Sequence, residues 1–370
     1  MVFCFSVYLP FLRETNAILQ NIQQEMALSR KRSREILVEK GKNLIPLEDR
    51  ELFQEAWKTA RSDHGSDFTF YLPGMIRYGL ERGRYPAISI TGHECELMCK
   101  HCMGQLLKPM IKVTEPQALI KKCNSLNRSK YFGILLSGGS DPKGRLPWQK
   151  YYSAIKKIRD ETSLYISAHV GLPDQQTCFR LKEIGINQAL IDVMGDNHTA
   201  SEICNLDSLK PVIHALNNIK KADLPLIPHI VSGLYYGKMK TEYQALEIIR
   251  QYTPTALVIV VLNPLKGTSM AHVTPPSPLE VGRLIAKARL MMPKIPISLG
   301  CERPRTREGK LLEKLAIRAG ANRMALWSEN AVDEALRLGL RPRFQLTCCS
   351  LDFKEDFSKS VSPSSEFNSG

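Results

Sequence analysis

Residues 87–105 read AISITGHECELMCKHCMGQ. The first five, AISIT, are small, apolar or β-branched, the composition of a short strand. They run without a break into a loop that carries Cys95, Cys99 and Cys102 at the spacing C-x3-C-x2-C. Thiolates hold iron–sulfur clusters, and a cubane has four irons to ligate. Three cysteines on one compact loop supply three ligands and leave one iron open to a small molecule. A structural zinc site is the competing reading, with His93 and His101 as further donors. Zinc sites usually bring two CxxC pairs, or a third and fourth ligand at matched spacing, whereas this loop has a single CxxC pair.

Outward from this loop the chain alternates. The strand candidates after AISIT are YFGILLSGG (131–139), LYISAHVG (164–171), QALIDVMG (188–195) and LIPHIVSG (226–233). They continue with ALVIVVLNP (256–264), PISLGC (296–301) and NRMALW (322–327). Amphipathic segments such as TEYQALEIIRQY, REGKLLEKLAIRAG and SENAVDEALRLG fill the gaps. Near-continuous apolar strands, each followed by a helix, predict a parallel sheet buried on both faces. Eight such units predict an α/β fold, a parallel (β/α)8 TIM-type barrel, with a doubly wound open sheet as the alternative. Polar residues gather where strands run into loops, at the end where barrel active sites lie.

The expected organisation is an N-terminal helical extension over 1–85, a barrel over 86–340, and a C-terminal extension over 341–370 with a cysteine pair and a disordered tail. Residues 13–64 are rich in helix formers, and LEDRELFQEAWKTARSDHG follows a proline break. With 43% hydrophobic and 24% charged residues, the composition is that of an ordinary globular protein. No apolar run reaches the ~20 residues of a membrane-spanning helix. The opening MVFCFSVYLPFL lacks the basic start of a signal peptide, so a cytoplasmic location is expected. The formal charge of +14 is densest at SRKRSREILVEKGK (29–42). That run reads as a solvated helix face or a docking surface for an acidic partner; no nucleic-acid-binding signature accompanies it.

The C-x3-C-x2-C loop after the first strand of a parallel barrel resembles the signature of the radical S-adenosylmethionine (SAM) superfamily. The resemblance covers about residues 86–330. It implies a [4Fe–4S] cluster on Cys95, Cys99 and Cys102 and SAM on the open iron. It also implies an external reductant such as ferredoxin or flavodoxin, and hydrogen abstraction by a 5′-deoxyadenosyl radical. Gly138, Gly139 and Ser140 (LLSGGSDP) match the family's glycine-rich SAM motif, at a strand end where small residues let a ligand reach the backbone. Asp192 is a candidate for the ribose hydroxyls, and Asp196 for the same role or a helix cap. Ile230 and Val231, in HIVSGL, match the adenine-packing strand.

The product is to be read from the other cysteines. The strand end GCERPR alternates Cys301, Arg303 and Arg305. It resembles the strand end of biotin synthase, where an arginine helps ligate an auxiliary cluster that gives up sulfur. The features FYLPG, ITGHECELMCKHC, LLSGGSDPKGRLP, GCERPR and the CC pair together resemble the biotin-synthase-related group. That group includes paired proteins that act together as a lipoyl synthase. The resemblance implies sulfur insertion, an acidic lipoyl-carrier domain and a second radical SAM protein as partners. It also implies a second iron–sulfur cluster, here on Cys301, Cys348 and Cys349, with Cys301 and Arg303 as catalytic candidates. The chain departs from biotin synthase at two strand ends, where His169 and His229 stand in place of cluster cysteines. Cys123, Cys178 and Cys204 fall on or beside helices and read as small apolar fillers. The alternative is an isomerase, lyase or methylase without a second cluster, its arginines binding a substrate carboxylate.

Overall fold

The computed structural model describes residues 44–78 and 81–351. The apolar N-terminal run, the first expected helix, the basic run at 29–42 and the tail from 354 lie outside the described residues.

The chain enters through α1 (Arg50–His64) and β1 (Asp67–Tyr71), then a small antiparallel pair, β2 (Arg77–Tyr78) and β3 (Glu81–Arg82). Then come β4 (Ala87–Ser89), β5 (Ile111–Lys112), α2 (Pro116–Arg128), β6 (Gly133–Ser137) and α3 (Tyr152–Glu161). The alternation continues through β7 (Tyr165–His169), α4 (Gln175–Glu183), β8 (Gln188–Asp192), α5 (Asn197–Cys204), α6 (Lys210–Lys221) and β9 (Leu226–Ser232). It closes with α7 (Glu242–Ile249), β10 (Leu257–Val261), α8 (Pro278–Met291), β11 (Ile297–Leu299), α9 (Arg307–Arg318), β12 (Arg323–Ala325), α10 (Glu329–Arg337) and β13 (Arg341–Gln345).

Each of the eight expected strands is present, in sequential order within one curled 11-stranded parallel sheet. The α/β, TIM-type architecture is therefore as the alternation implies. Two further strands come from outside the 86–340 segment. β1 pairs with β12 on one edge and with β13 on the other, both parallel. Across the seam, the Arg84 amide just before β4 donates to the Leu346 carbonyl just after β13 at 2.7 Å.

Local signals start several helices. Asp174 accepts from the Thr177 amide at the head of α4, Asp196 from Thr199 at α5, and Thr306 from Gly309 at α9. Ser277 and Glu280 form a reciprocal capping box on α8.

Two apolar layers result. The larger lies between sheet and helices. The smaller is enclosed by the curl of the sheet and joins Tyr71, Leu190, Ile227, Val258, Val260 and Ala325 to Cys349. The segment after β13 therefore turns into the barrel lumen. Hydrogen bonds hold it there: Gln188 Nε2 donates to Ser350 Oγ (2.6 Å) and Ser167 Oγ (2.8 Å), and the Tyr71 hydroxyl donates to the Leu351 carbonyl (2.9 Å).

Candidate active site

The loop after β4 is held at both ends. Ser89 Oγ donates to the Gly92 carbonyl (2.6 Å), and Thr91 Oγ1 donates to the Glu94 carbonyl (3.0 Å) while accepting from the Gly139 amide (2.7 Å). The amides of Glu96 and Leu97 both reach the Ser140 carbonyl. On the far side, Asn205 donates to the carbonyls of Leu97 and Met98, and the Lys100 amide to Ile203. Lys100 also pairs with Glu202 at 2.6 Å. The loop carrying Cys95, Cys99 and Cys102 is thus clamped between the end of β6 and the end of α5.

Gly139 is what lets the two meet. A Cβ there would lie 1.9 Å from the Glu94 carbonyl oxygen and 2.5 Å from Cys95 Cβ. The glycine-rich strand end is packed against the first cysteine, and a side chain would push the two apart. Cys95, Cys99, Cys102, Gly138, Gly139 and Ser140 all line one cavity of about 250 Å³, whose far wall includes Asp192, Met194 and Val231.

The donor set suits a cluster better than a single ion. Around one zinc, thiolates bound at about 2.3 Å stand roughly 3.8 Å apart. Among the described residues, the sets of three or more donor atoms within 4.8 Å of one another are Cys99–His101–Cys204 and His169–Asp192–His229; the cysteine triad is not one of them. The Cys102 thiol is pushed up to about 12 by its hydrogen bond with Cys99 and by burial, so iron loading has to displace its proton.

The other expected residues divide. Asp192 lines the cavity, and its Oδ1 lies 3.8 Å from His169 Nε2. Asp196 is a helix cap. Val231 lines the cavity, whereas Ile230 is 1% exposed in the sheet–helix layer. Cys123 and Cys178 are core filler, fully buried. Cys204 is not mere filler: its carbonyl accepts from the Cys99 thiol at 3.6 Å, and its sulfur sits with Cys99 and His101. Its place at the end of α5 gave no sign of that in the sequence.

At the lumen end, Cys301 lies near the Cys348–Cys349 pair, although the three sulfurs are not all within 4.8 Å of one another. Cys349 is buried among the lumen side chains, and Cys301 is accessible beside the pair. The Cys349 thiol donates to Cys348, drawing the Cys348 thiol down while Cys349 is pushed up. The Ser350 hydroxyl also reaches Cys348 Sγ, at 3.2 Å. Arg303 does not join them as a free cation. Its side chain is 0% exposed. Its guanidinium donates to the carbonyls of Gly300, Ala325 and Leu326 and to Glu313 Oε1 (2.8 Å). The alternation of GCERPR breaks because β11 ends at Leu299, so the turn beyond it follows no strand pattern. Arg305 is exposed and donates to the Cys301 carbonyl.

Comparison with known proteins agrees with this geometry. Residues 89–252 match the family model for the radical SAM superfamily, and residues 259–353 the model for the biotin and thiamin synthesis associated domain. Biotin synthase of Geobacter metallireducens is 26% identical over 54% of this chain and 60% of its own length. Biotin synthase of Acetivibrio thermocellus is 27% identical over 65% of this chain and 77% of its own. The chain thus spans less than two thirds of the first of these relatives. Among solved structures, methylornithine synthase superposes with a TM-score of 0.55 at 16% identity, covering 79% of this chain and 88% of that one. The FeFe-hydrogenase maturase HydG from Carboxydothermus hydrogenoformans gives 0.59 at 14% identity, covering 89% and 85%. Those two likenesses speak to fold alone. With a radical SAM domain over 89–252 followed by a biotin and thiamin synthesis associated domain over 259–353, the chain fits the group of radical SAM proteins related to biotin synthase.

Proposed function

We propose that this radical SAM enzyme inserts sulfur at an unactivated C–H position, in the manner of a lipoyl or biotin synthase, with an octanoyl chain on a protein lysine as substrate. In this reading Cys95, Cys99 and Cys102 hold a [4Fe–4S] cluster, and Gly138, Gly139 and Ser140 form the wall against which SAM lies. The chemistry such a pair supplies when bound is reductive cleavage of SAM to methionine and a 5′-deoxyadenosyl radical. The chain's own part is to hold the triad loop on Gly139 and to shield the reacting groups inside a lumen filled from below by residues 346–351.

The observation that carries the sulfur-inserting half is the turn of the Cys348–Cys349 pair into the lumen, with Cys301 accessible beside it. Three neighbouring thiols, two of them adjacent in the chain, are a donor set for a second iron–sulfur cluster. The formal charge of +14 suits an acidic carrier domain, with ferredoxin or flavodoxin as reductant and a second radical SAM protein as co-worker. In the alternative, an isomerase, lyase or methylase that grips a substrate carboxylate through Arg303 and Arg305, Arg303 is already occupied by carbonyls and Glu313, which leaves the exposed Arg305 for that role.

Anaerobic iron and sulfide counts after reconstitution test the reading. About eight irons per chain are expected, and about four would sink the second cluster. A Cys301→Ala protein should lose roughly half its iron yet still cleave SAM. Replacing Cys95, Cys99 and Cys102 together by alanine should abolish SAM cleavage.

A further inference from the structure

Three side chains on adjacent strands converge where the first cluster's cavity meets the lumen. His169 ends β7, Asp192 ends β8, and His229 lies in β9, directly paired with Asp192 in the parallel register. One ligand atom from each lies within 4.8 Å of the others. The imidazole centroids are 5.3 Å apart with the rings tilted at 46°. From these we propose that His169, Asp192 and His229 form a binding site for one first-row divalent metal ion, such as Zn²⁺ or Fe²⁺, distinct from the cysteine sites.

The arrangement differs from an ordinary polar cluster in what it leaves unbonded. His169 Nε2 and Asp192 Oδ1 stop at 3.8 Å, beyond a hydrogen bond. The two side chains meet at ion-pair distance, and both keep access to the cavity, 26% exposed for His169 and 52% for Asp192. Three donors close together but not bonded to one another are spaced to surround something. Two imidazoles and one carboxylate on one side of an ion form the facial set that suits iron, zinc or cobalt and leaves the other positions open. His229 has the second contact usual in a ligating histidine: its Nδ1 faces the Ile227 carbonyl at 3.2 Å. As a donor there, Nδ1 carries the proton and Nε2 presents its lone pair. The backbone also supplies rigidity, because all three residues sit on paired strands rather than on loops. His169 and Asp192 line the cavity shared with the cysteine triad, so the open positions of the ion would face that space.

The site does not depend on the sulfur-insertion reading, and its test can be kept apart from it. Protein carrying its reconstituted clusters is dialysed against Zn²⁺, and bound zinc is measured by elemental analysis and by calorimetric titration. Wild type should bind one zinc ion beyond any held before dialysis. Zinc K-edge absorption should show nitrogen and oxygen neighbours without sulfur. Asp192→Asn, at an exposed side chain whose change leaves packing intact, and His229→Ala should each weaken that binding at least a hundredfold with iron content unchanged. The proposal is overturned if wild type binds no such zinc, if its zinc has sulfur neighbours, or if both variants keep wild-type affinity. Asp192→Asn that weakens SAM binding yet leaves zinc untouched also overturns it, and assigns the carboxylate to the ribose instead.

Discussion

At Gly139 one added methyl group decides whether the cysteine loop can seat. Overpacking at a tight backbone contact costs about 1–3 kcal/mol, modest for a chain of this size. The local effect is larger, since the atoms displaced are the Glu94 carbonyl and Cys95 itself. Gly139→Ala should therefore fold, with an unchanged far-ultraviolet spectrum, but bind SAM at least tenfold more weakly and hold less iron. Unaltered iron and SAM affinity would refute the packing argument. This scale also marks what a sequence can disclose about a site. The triad is legible because its ligands lie within eight consecutive residues, Cys95 to Cys102. Cys204 beside Cys99, and the meeting of His169, Asp192 and His229, come from strands and helices far apart in the chain. Only the pairing register brings them together.

Among the elements, the junction of β11, β12 and α9 is held by a buried ion pair. Arg303 spans carbonyls from Gly300, Ala325 and Leu326, and Glu313 on α9 accepts from it with one oxygen. The other Glu313 oxygen accepts from the Ser328 amide (2.9 Å) and hydroxyl at the head of α10. Removing one partner of such a pair leaves a buried charge uncompensated, at about 3–5 kcal/mol. Glu313→Gln should lower the urea midpoint accordingly; a loss below about 1 kcal/mol would mean that the carbonyls alone suffice for the guanidinium. The eight strands between 86 and 330 announced themselves by apolar runs and by the helices between them. β1 and β13 did not. β1 is a short DFTFY, with a proline and a glycine following after one leucine. β13 reads RPRFQ and is half-exposed along its length, with Arg341 and Arg343 paired to Asp67 on β1. A charged edge strand has no hydrophobic period to display, so its partner identifies it.

For the molecule as a whole, the lumen is completed by chain that lies beyond the last barrel helix. Ending the protein at Gln345 would remove the segment that carries Cys348, Cys349 and the Ser350 contact to Gln188. The truncated protein should bind a hydrophobic dye at the opened lumen and lose the iron assigned to the second cluster. SAM cleavage at the triad should continue, because the triad loop rests on β6 and α5. A truncated protein that keeps full iron would place the second cluster elsewhere. Loss of SAM cleavage would instead show that the lumen filling supports the whole barrel.

The place of β1 bears also on how the protein is made. It is synthesised before every other strand of the sheet, whereas both of its partners, β12 and β13, follow all of the others. While the intervening strands are being made its two edges stay without a strand to pair with, and edges in that state invite association with other chains. The newborn chain therefore needs protection at Asp67–Tyr71 until β12 and β13 are made, and the barrel can close only once those strands have been released.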